Sequence, residues 1–484
     1  MNDEREAQGP ASRTRIRNGI SAHGVRLAAY VLLAVVVRVA LYRDFPVFLT
    51  LDSPDYVLAA DDIAKSFDFR GDALGDWRLP GYPVFLALVR PLTGSDLQHV
   101  VWVQGLLGMG SVWLGLVIGR LLGSRVLAEV LVLFLGLSPV ALLNEHLLMT
   151  EALFSFTVLG FGALVIVCLR GRWNAAAGLA LGAVFSICLL IRSNGLFFCL
   201  PMLAGMLFVR RADARADLGK LALGFVFATA LIGGPWVWRN YSLLGSVTPF
   251  TQNFNRNLLI YQSQHGLLDR SLPFMGQWGG SYDPEHPGTI YRMIMDLGRD
   301  TDEAERRAGA IRREQMADHP GRYLAEVLRS AANLGGYLGP YPGRNDVEVW
   351  FDRVVGNVHI LNSTNAALMD DLTSRGFEIT RASRNTALTR AWSRLGRGYL
   401  GSVRPLLFSA FIVCFLVILG RPRRAGGERD VVAGLVGTAY LVTIGLHSVT
   451  LSDYDRFATP FDWVPILVIG LVAPRLRSLR TRSE

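Results

Sequence analysis

Apolar residues along this chain fall in blocks of about twenty, separated by short polar stretches in which arginine recurs. A block of that length lets an α-helix cross the ~30 Å hydrocarbon core of a bilayer. Ten such runs lie near 25–46, 99–120, 125–143, 147–169, 175–192, 194–210, 219–238, 402–420, 431–448 and 459–474. The pattern predicts an all-α integral membrane protein, a polytopic bundle of about 10–12 transmembrane helices.

The connecting segments carry the orientation. Arg13, Arg15 and Arg17 precede the first run, and Arg120 and Arg125 lie between the second and third. Arg170 and Arg172 follow the fourth, Arg210, Arg211 and Arg215 the sixth, and Arg421, Arg423 and Arg424 the eighth. All fall on one side if the N-terminus is cytoplasmic, which places both termini inside. Residues 1–24 and 476–484 are then cytoplasmic basic tails. Residues 25–238 form an N-terminal transmembrane module with a first outer loop at about 47–98. Residues 239–400 form a large extracytoplasmic segment, and 401–475 the C-terminal transmembrane helices. The short runs at 175–192 and 194–210 must be separate helices, or the large segment would turn inward.

Both outer segments contain helical patterns. YVLAADDIAKSF sets Tyr56, Leu58, Ala59, Ile63 and Phe67 on one face, so a short helix in the interface plane is expected, with Asp61 and Asp62 on its solvated side. TDEAERRAGAIRREQMADHPGRYLAEVLRSAANLGGYL reads as two helices broken at His319-Pro320, the second amphipathic enough to rest on the bilayer.

Composition agrees with the pattern. Apolar residues make up 51% of the chain and charged residues 18%, and mean hydropathy is +0.31; a soluble domain carries roughly a quarter charged. The net charge of +9 lies in short clusters and not along one face, so no nucleic-acid partner is expected. Two lysines stand against 47 arginines, a skew of GC-rich coding that points to a bacterial cell membrane. Cys168, Cys188, Cys199 and Cys414 sit inside apolar runs without metal-ligand spacing and read as small core residues. The polar, basic N-terminus leads to a run with no small-residue cleavage site after it, so the first run is read as a retained helix.

The unusual chemistry lies at the outer ends of the runs. LDSPDY places Asp52 and Asp55 at the mouth of the first helix. One reading is a helix start, with Asp52 or Ser53 as cap, Pro54 in the first turn, and Asp55 favoured by the helix dipole. The other is a partly desolvated general base, because ionisable groups at membrane depth are functional candidates. WRLPGYPVFLALV supplies Arg78 and Tyr82, and NEHLLMTEALFSF supplies Glu145, His146 and Glu151. IRSNGLF adds Arg192, WRNYSLLG adds Arg239 and Asn240, and SDYDRFATPF adds Arg456. Carboxylates and guanidiniums gathered at one face suit a phosphorylated lipid, since arginine grips phosphate oxygens in pairs.

Four of these stretches together, LDSPDYVLAADDIA, RLPGYPVFLALV, LLMTEALFSF and RNYSLLGSVTPF with NRNLLIY, resemble the GT-C superfamily of polyprenyl-phosphate-sugar-dependent glycosyltransferases. That class includes protein O-mannosyltransferases and aminoarabinose lipid A transferases. The resemblance runs along the whole chain in order, and it implies a GT-C-like bundle. It also implies an inverting glycosyltransferase with a polyprenyl-phosphate-linked sugar as donor and an envelope glycan, lipid or protein as acceptor. Asp52 corresponds to the family's first-loop acid, with Asp55 as rival and Glu151 as the acid of the T-E pattern. Tyr56, Arg78, Tyr82, Glu145, His146, Arg192, Arg239, Asn240 and Arg456 are the expected substrate contacts. A divalent metal is compatible with the chemistry but not required. The rival reading is a secondary transporter or lipid flippase, against which stand the lack of related halves and the long segment on one face.

Overall fold

The computed structural model describes residues 10–45, 47–50, 52–69, 78–171, 173–209, 215–245, 301–335, 366–379, 386–420, 427–450 and 459–480, with the single positions 247, 255 and 258. Regular structure among the described residues is helical. The N-terminal part holds α1 (Pro10–Asp44), α2 (Ser53–Ser66), α3 (Gly81–Thr93), α4 (Gln98–Leu121), α5 (Arg125–Leu137) and α6 (Pro139–His146). It continues through α7 (Glu151–Arg170), α8 (Ala175–Ile191), α9 (Gly195–Val209) and α10 (Arg215–Leu244). The intervening segment contributes α11 (Thr301–Asp318), α12 (Pro320–Leu334), α13 (Ala366–Ser374) and α14 (Ala387–Gly398). A π-turn, Tyr399–Val403, leads into α15 (Arg404–Leu419), followed by α16 (Glu428–Val449) and α17 (Trp463–Arg480).

Every one of the ten apolar runs falls on helix. Among the described residues, six helices are long and apolar enough to cross a membrane, and a bent pair makes a seventh candidate. Three shorter apolar helices, Ala175–Ile191, Gly195–Val209 and Thr459–Ala473, complete the set. The protein is a multi-pass membrane protein. The two short runs are indeed separate helices, divided at Arg192–Asn194. The break at His319 also stands where proline dictated it, because proline opens α12 without a backbone donor.

The run at 125–143 is not one straight helix. α5 and α6 meet at Ser138 with a 44° bend. Pro139 cannot continue the hydrogen-bond ladder, and the Ser138 hydroxyl caps the new helix by accepting from the Ala141 N–H at 3.4 Å. After His146 the chain leaves helix until Glu151, and there it pairs with the start of the first loop. The Phe48 N–H donates to the His146 carbonyl (2.8 Å) and the Leu148 N–H to the Phe48 carbonyl (3.0 Å), a parallel bridge that fixes residues 47–50 against residues 146–149.

Sequence reasoning misplaced Asp61. It is fully buried (0% exposed) and not on a solvated face, because α3 and the chain after α13 cover that side of α2. Arg90 of α3 hydrogen-bonds its carboxylate, Lys65 joins at 2.8 Å, and Arg375 stands 3.6 Å away. Asp62 is also engaged, by Arg375 at 2.9 Å. Residues 375–379 are held to the start of α4 by Leu97 N–H to Glu378 O (3.1 Å) and Glu378 N–H to Ser95 O (2.9 Å). α2 is therefore sandwiched and does not lie bare in an interface. Burial raises the Asp61 pKa, but the hydrogen bonds from Lys65 and Arg90 outweigh it and hold the group below its ordinary value. A depressed carboxylate stabilises above its unfolded pKa and ceases to do so as pH falls through the folded value. Amide exchange in α13 is expected to stay slow from neutral pH down to about pH 4 and to accelerate below it. Acceleration already at pH 6 would show that Asp61 does not hold this docking.

In α12 the face carrying Glu326, Ser330 and Leu334 is buried, and α12 packs on α16. The Tyr323 hydroxyl donates to the Val449 carbonyl at the end of that helix. Leu324 and Leu328 remain exposed.

Candidate functional site

The first-loop acids are held by one arginine. Asp52 occupies the N-cap position of α2, yet its side chain makes no capping hydrogen bond. Ser53 is not the expected cap either: its hydroxyl accepts from the Thr50 N–H at 2.8 Å and so closes the preceding turn. The Asp52 carboxylate instead receives Arg78 Nη2 at 2.7 Å. Asp55, one turn on, receives the same Nη2 at 2.8 Å and Nε at 3.1 Å on a single oxygen. Only Pro54 in the first turn and Asp55 near the positive helix end fit the helix-start reading in full.

Burial lifts the Asp55 pKa above the ordinary carboxylate value; Arg78 opposes the rise and the neighbouring Asp52 charge adds to it. Burial works against the Arg78 charge, but Asp52, Tyr56 and Asp55 more than restore it. The Arg78 guanidinium lies over the Tyr56 ring, 5.3 Å from its centre. Tyr56 in turn stands edge-on to Tyr82 at 5.2 Å.

A second acid–arginine pair faces the same tyrosine. Glu151 is the first residue of α7 and fully buried. Its Oε1 receives Arg192 Nη1 at 2.7 Å, and the Thr150 hydroxyl is 3.4 Å from Oε2. The α7 dipole favours a carboxylate there. Asp52, Arg78, Glu151 and Arg192 all act electrostatically on the Tyr56 phenol, whose pKa burial raises first of all. His447 of α16, 5.5 Å from the Phe197 ring, lies within reach of the Arg192 charge.

What brings the two pairs together is a glycine. Gly81 of RLPGYP starts α3 against the end of α8, where a Cβ would lie 2.6 Å from the Leu190 carbonyl carbon and 2.7 Å from the Ile191 nitrogen. Backbone cannot yield as a side-chain tip can. Gly81→Val is expected to push α3 off α8 and lower stability by about 1–3 kcal/mol, measured by thermal unfolding in detergent. An unchanged melting temperature would mean that α3 is not seated on α8.

Of the other expected residues, Tyr82 adjoins the site through Tyr56 and the rest lie elsewhere. The Tyr82 hydroxyl donates to Gln104 Oε1 at 2.9 Å, and Gln104 Nε2 donates to the carbonyls of Glu145 (2.9 Å) and Leu147 (2.8 Å). The Glu145 side chain points into the bundle, where Oε1 receives Arg38 Nη2 and Oε2 the Tyr42 hydroxyl, each at 2.7 Å. The His146 ring is buried among Tyr42 (4.9 Å), Phe45 (5.6 Å) and Trp392 (6.2 Å). Arg239 donates from Nε to the Phe69 carbonyl at 2.9 Å, lies over Trp236 at 4.7 Å, and reaches Asn240 Oδ1 at 3.1 Å. That contact ties the end of α10 to the chain leaving α2. Arg456, with Asp453 and Asp455, lies outside the described residues. Arg38 and Gln104 were missed; an arginine inside the run VVVRVALY was the available signal for the first. Among the described residues no three His, Cys, Asp or Glu side chains are grouped to hold a metal ion.

No protein-family model matches the sequence, and no curated protein matches it. In structure the chain is similar to the archaeal oligosaccharyltransferase AglB from Archaeoglobus fulgidus, in complex with an inhibitory peptide and a dolichol-phosphate. That likeness has a TM-score of 0.47 and 14% identity, covering 95% of this chain and 52% of AglB. It is also similar to ArnT from Cupriavidus metallidurans, bound to undecaprenyl phosphate, with a TM-score of 0.37 and 14% identity over 92% of this chain and 77% of ArnT. The chain spans about half the length of AglB.

Proposed function

We propose that this chain is an inverting glycosyltransferase that moves a sugar from a polyprenyl-phosphate donor to an envelope glycan, lipid or protein acceptor. The reaction runs at the extracytoplasmic face of the bacterial cell membrane, with both termini cytoplasmic. The observation that carries the reading is Asp52, a carboxylate at a helix start that does no capping and is held by an arginine. A second arginine–carboxylate pair across Tyr56 supports it.

In this scheme Asp52 takes the proton of an acceptor hydroxyl as that oxygen attacks the anomeric carbon. The carbon–oxygen bond to phosphate breaks, its electron pair leaves with the phosphate, and the anomeric configuration inverts. The lipid phosphate is a leaving group of low pKa and needs charge stabilisation more than a proton. Arg78 and Arg192, each already facing carboxylates, supply it by exchanging part of those contacts for phosphate oxygens. Asp55 shares Arg78 and holds it in place. Glu151 sets the direction of Arg192. No step requires a metal.

The test is turnover by the full chain in nanodiscs, given a panel of polyprenyl-phosphate sugars with envelope glycans and lipids, and followed by release of free polyprenyl phosphate. Release with one donor supports the proposal and identifies the sugar. Transbilayer movement of lipid or solute, without release from any donor, would replace it with the flippase or transporter reading.

A further inference from the structure

Away from the acids of the first loop, a cavity of about 50 Å³ opens between α4, α5–α6, α7 and the start of α17. Asn144, Thr459 and Trp463 line it, and each presents a buried polar atom with no hydrogen-bond partner among the described residues: Asn144 Oδ1, Thr459 Oγ1 and Trp463 Nε1. The three residues are 3%, 9% and 2% exposed. Each polar atom left dry costs about 1–3 kcal/mol, and three such residues line this one cavity. They offer an acceptor, a hydroxyl of either kind and a donor, the complement of neutral oxygen ligands.

Charge and size select the occupant. Two carboxylates stand on the wall, but each carries its own cation. Glu145 has Arg38 (2.7 Å), and Asp462 has Arg404 Nε (3.3 Å) together with the Tyr399 hydroxyl (2.8 Å). The cavity needs neither an anion nor a metal. One water requires about 10–15 Å³ of such space, so the volume holds about four waters.

We infer that the cavity is a hydration site, filled by a cluster of about four ordered waters. The waters satisfy Asn144, Thr459 and Trp463 and join the Arg38–Glu145–Tyr42 group to the Tyr399–Asp462–Arg404 group. The start of the last helix is then hydrogen-bonded to α1 and α6 through water. In an apolar surround no bulk solvent could relieve those groups.

The test is radiolytic footprinting of the full chain in nanodiscs, read by mass spectrometry. Waters bound inside a protein generate hydroxyl radicals in place and oxidise adjacent side chains. Trp173 is the dry control: it is equally buried, and its Nε1 donates to the Cys168 carbonyl at 3.0 Å. Trp463 is expected to oxidise several-fold faster than Trp173. Ala141→Leu, which fills the cavity from its wall, is expected to abolish the difference. Equal rates in the wild type would mean a dry cavity and overturn the inference. So would a fast Trp463 that is indifferent to Ala141→Leu in a folded variant. Should that variant fail to fold, Asn144→Leu, which removes the acceptor and adds side-chain volume to the cavity lining, makes the same comparison.

Discussion

On the proposed mechanism, Asp52→Asn is expected to lower polyprenyl phosphate release by about two to four orders of magnitude, the usual contribution of a general base. The substitution is nearly isosteric, and the new amide oxygen can still accept from Arg78, so the local fold is retained while the proton acceptor is lost. The absence of a capping bond at this position makes the prediction specific. A structural cap replaced by asparagine would cost almost nothing, since asparagine caps as well as aspartate. Asp55→Asn is expected to act more mildly, because its oxygen serves chiefly to accept two N–H groups of Arg78. The reverse order, with Asp55→Asn inactive and Asp52→Asn active, would transfer the base to Asp55. Burial raises its pKa above the ordinary carboxylate value, the direction that favours a base. In either assignment, protonation of the base stops the reaction, so the rate falls toward acid pH.

Arg38→Met alone is expected to destabilise the protein by about 3–5 kcal/mol, because it leaves the Glu145 charge buried with only Tyr42 as partner. Arg38 and Glu145 are both almost fully buried, so solvent cannot take over the lost contact. The double variant Arg38→Met/Glu145→Leu removes both charges together and is expected to be more stable than either single variant, since a buried ion pair barely recovers its own desolvation. Gly108 leaves room for this pair: a Cβ there would lie 1.9 Å from Glu145 Oε1. Thermal unfolding of the four proteins in one detergent gives the comparison. Additive losses in the double variant would show that the two groups do not depend on each other.

Much of the architecture was legible because the bilayer imposes a single strong rule. A helix that crosses hydrocarbon must be apolar over about twenty residues; six of the ten runs met that rule as single helices, one as a bent pair and three as shorter apolar helices. Pro139 and Pro320 mark breaks by local chemistry, yet only the second was read. The first lies inside an apolar stretch that hydropathy alone does not divide. Asp61 was misread for a related reason. Its own helix shows an acid on a polar side, while the residues that cover it, Arg90 and Arg375, come from 29 and 314 positions away.

The sequence by itself determined the membrane class, the helices, and the set of acids and arginines gathered near their ends, since these depend on composition and local periodicity. Tertiary structure decided which of those residues meet. It joined Asp52 and Asp55 through Arg78, paired Glu151 with Arg192, and turned Glu145 inward to Arg38. Those pairings depend on the close seating of α3 on α8 at Gly81 and on the bridge between Phe48 and Leu147. Both contacts join residues about one hundred positions apart, a separation at which side-chain spacing along the chain carries no information about distance in space.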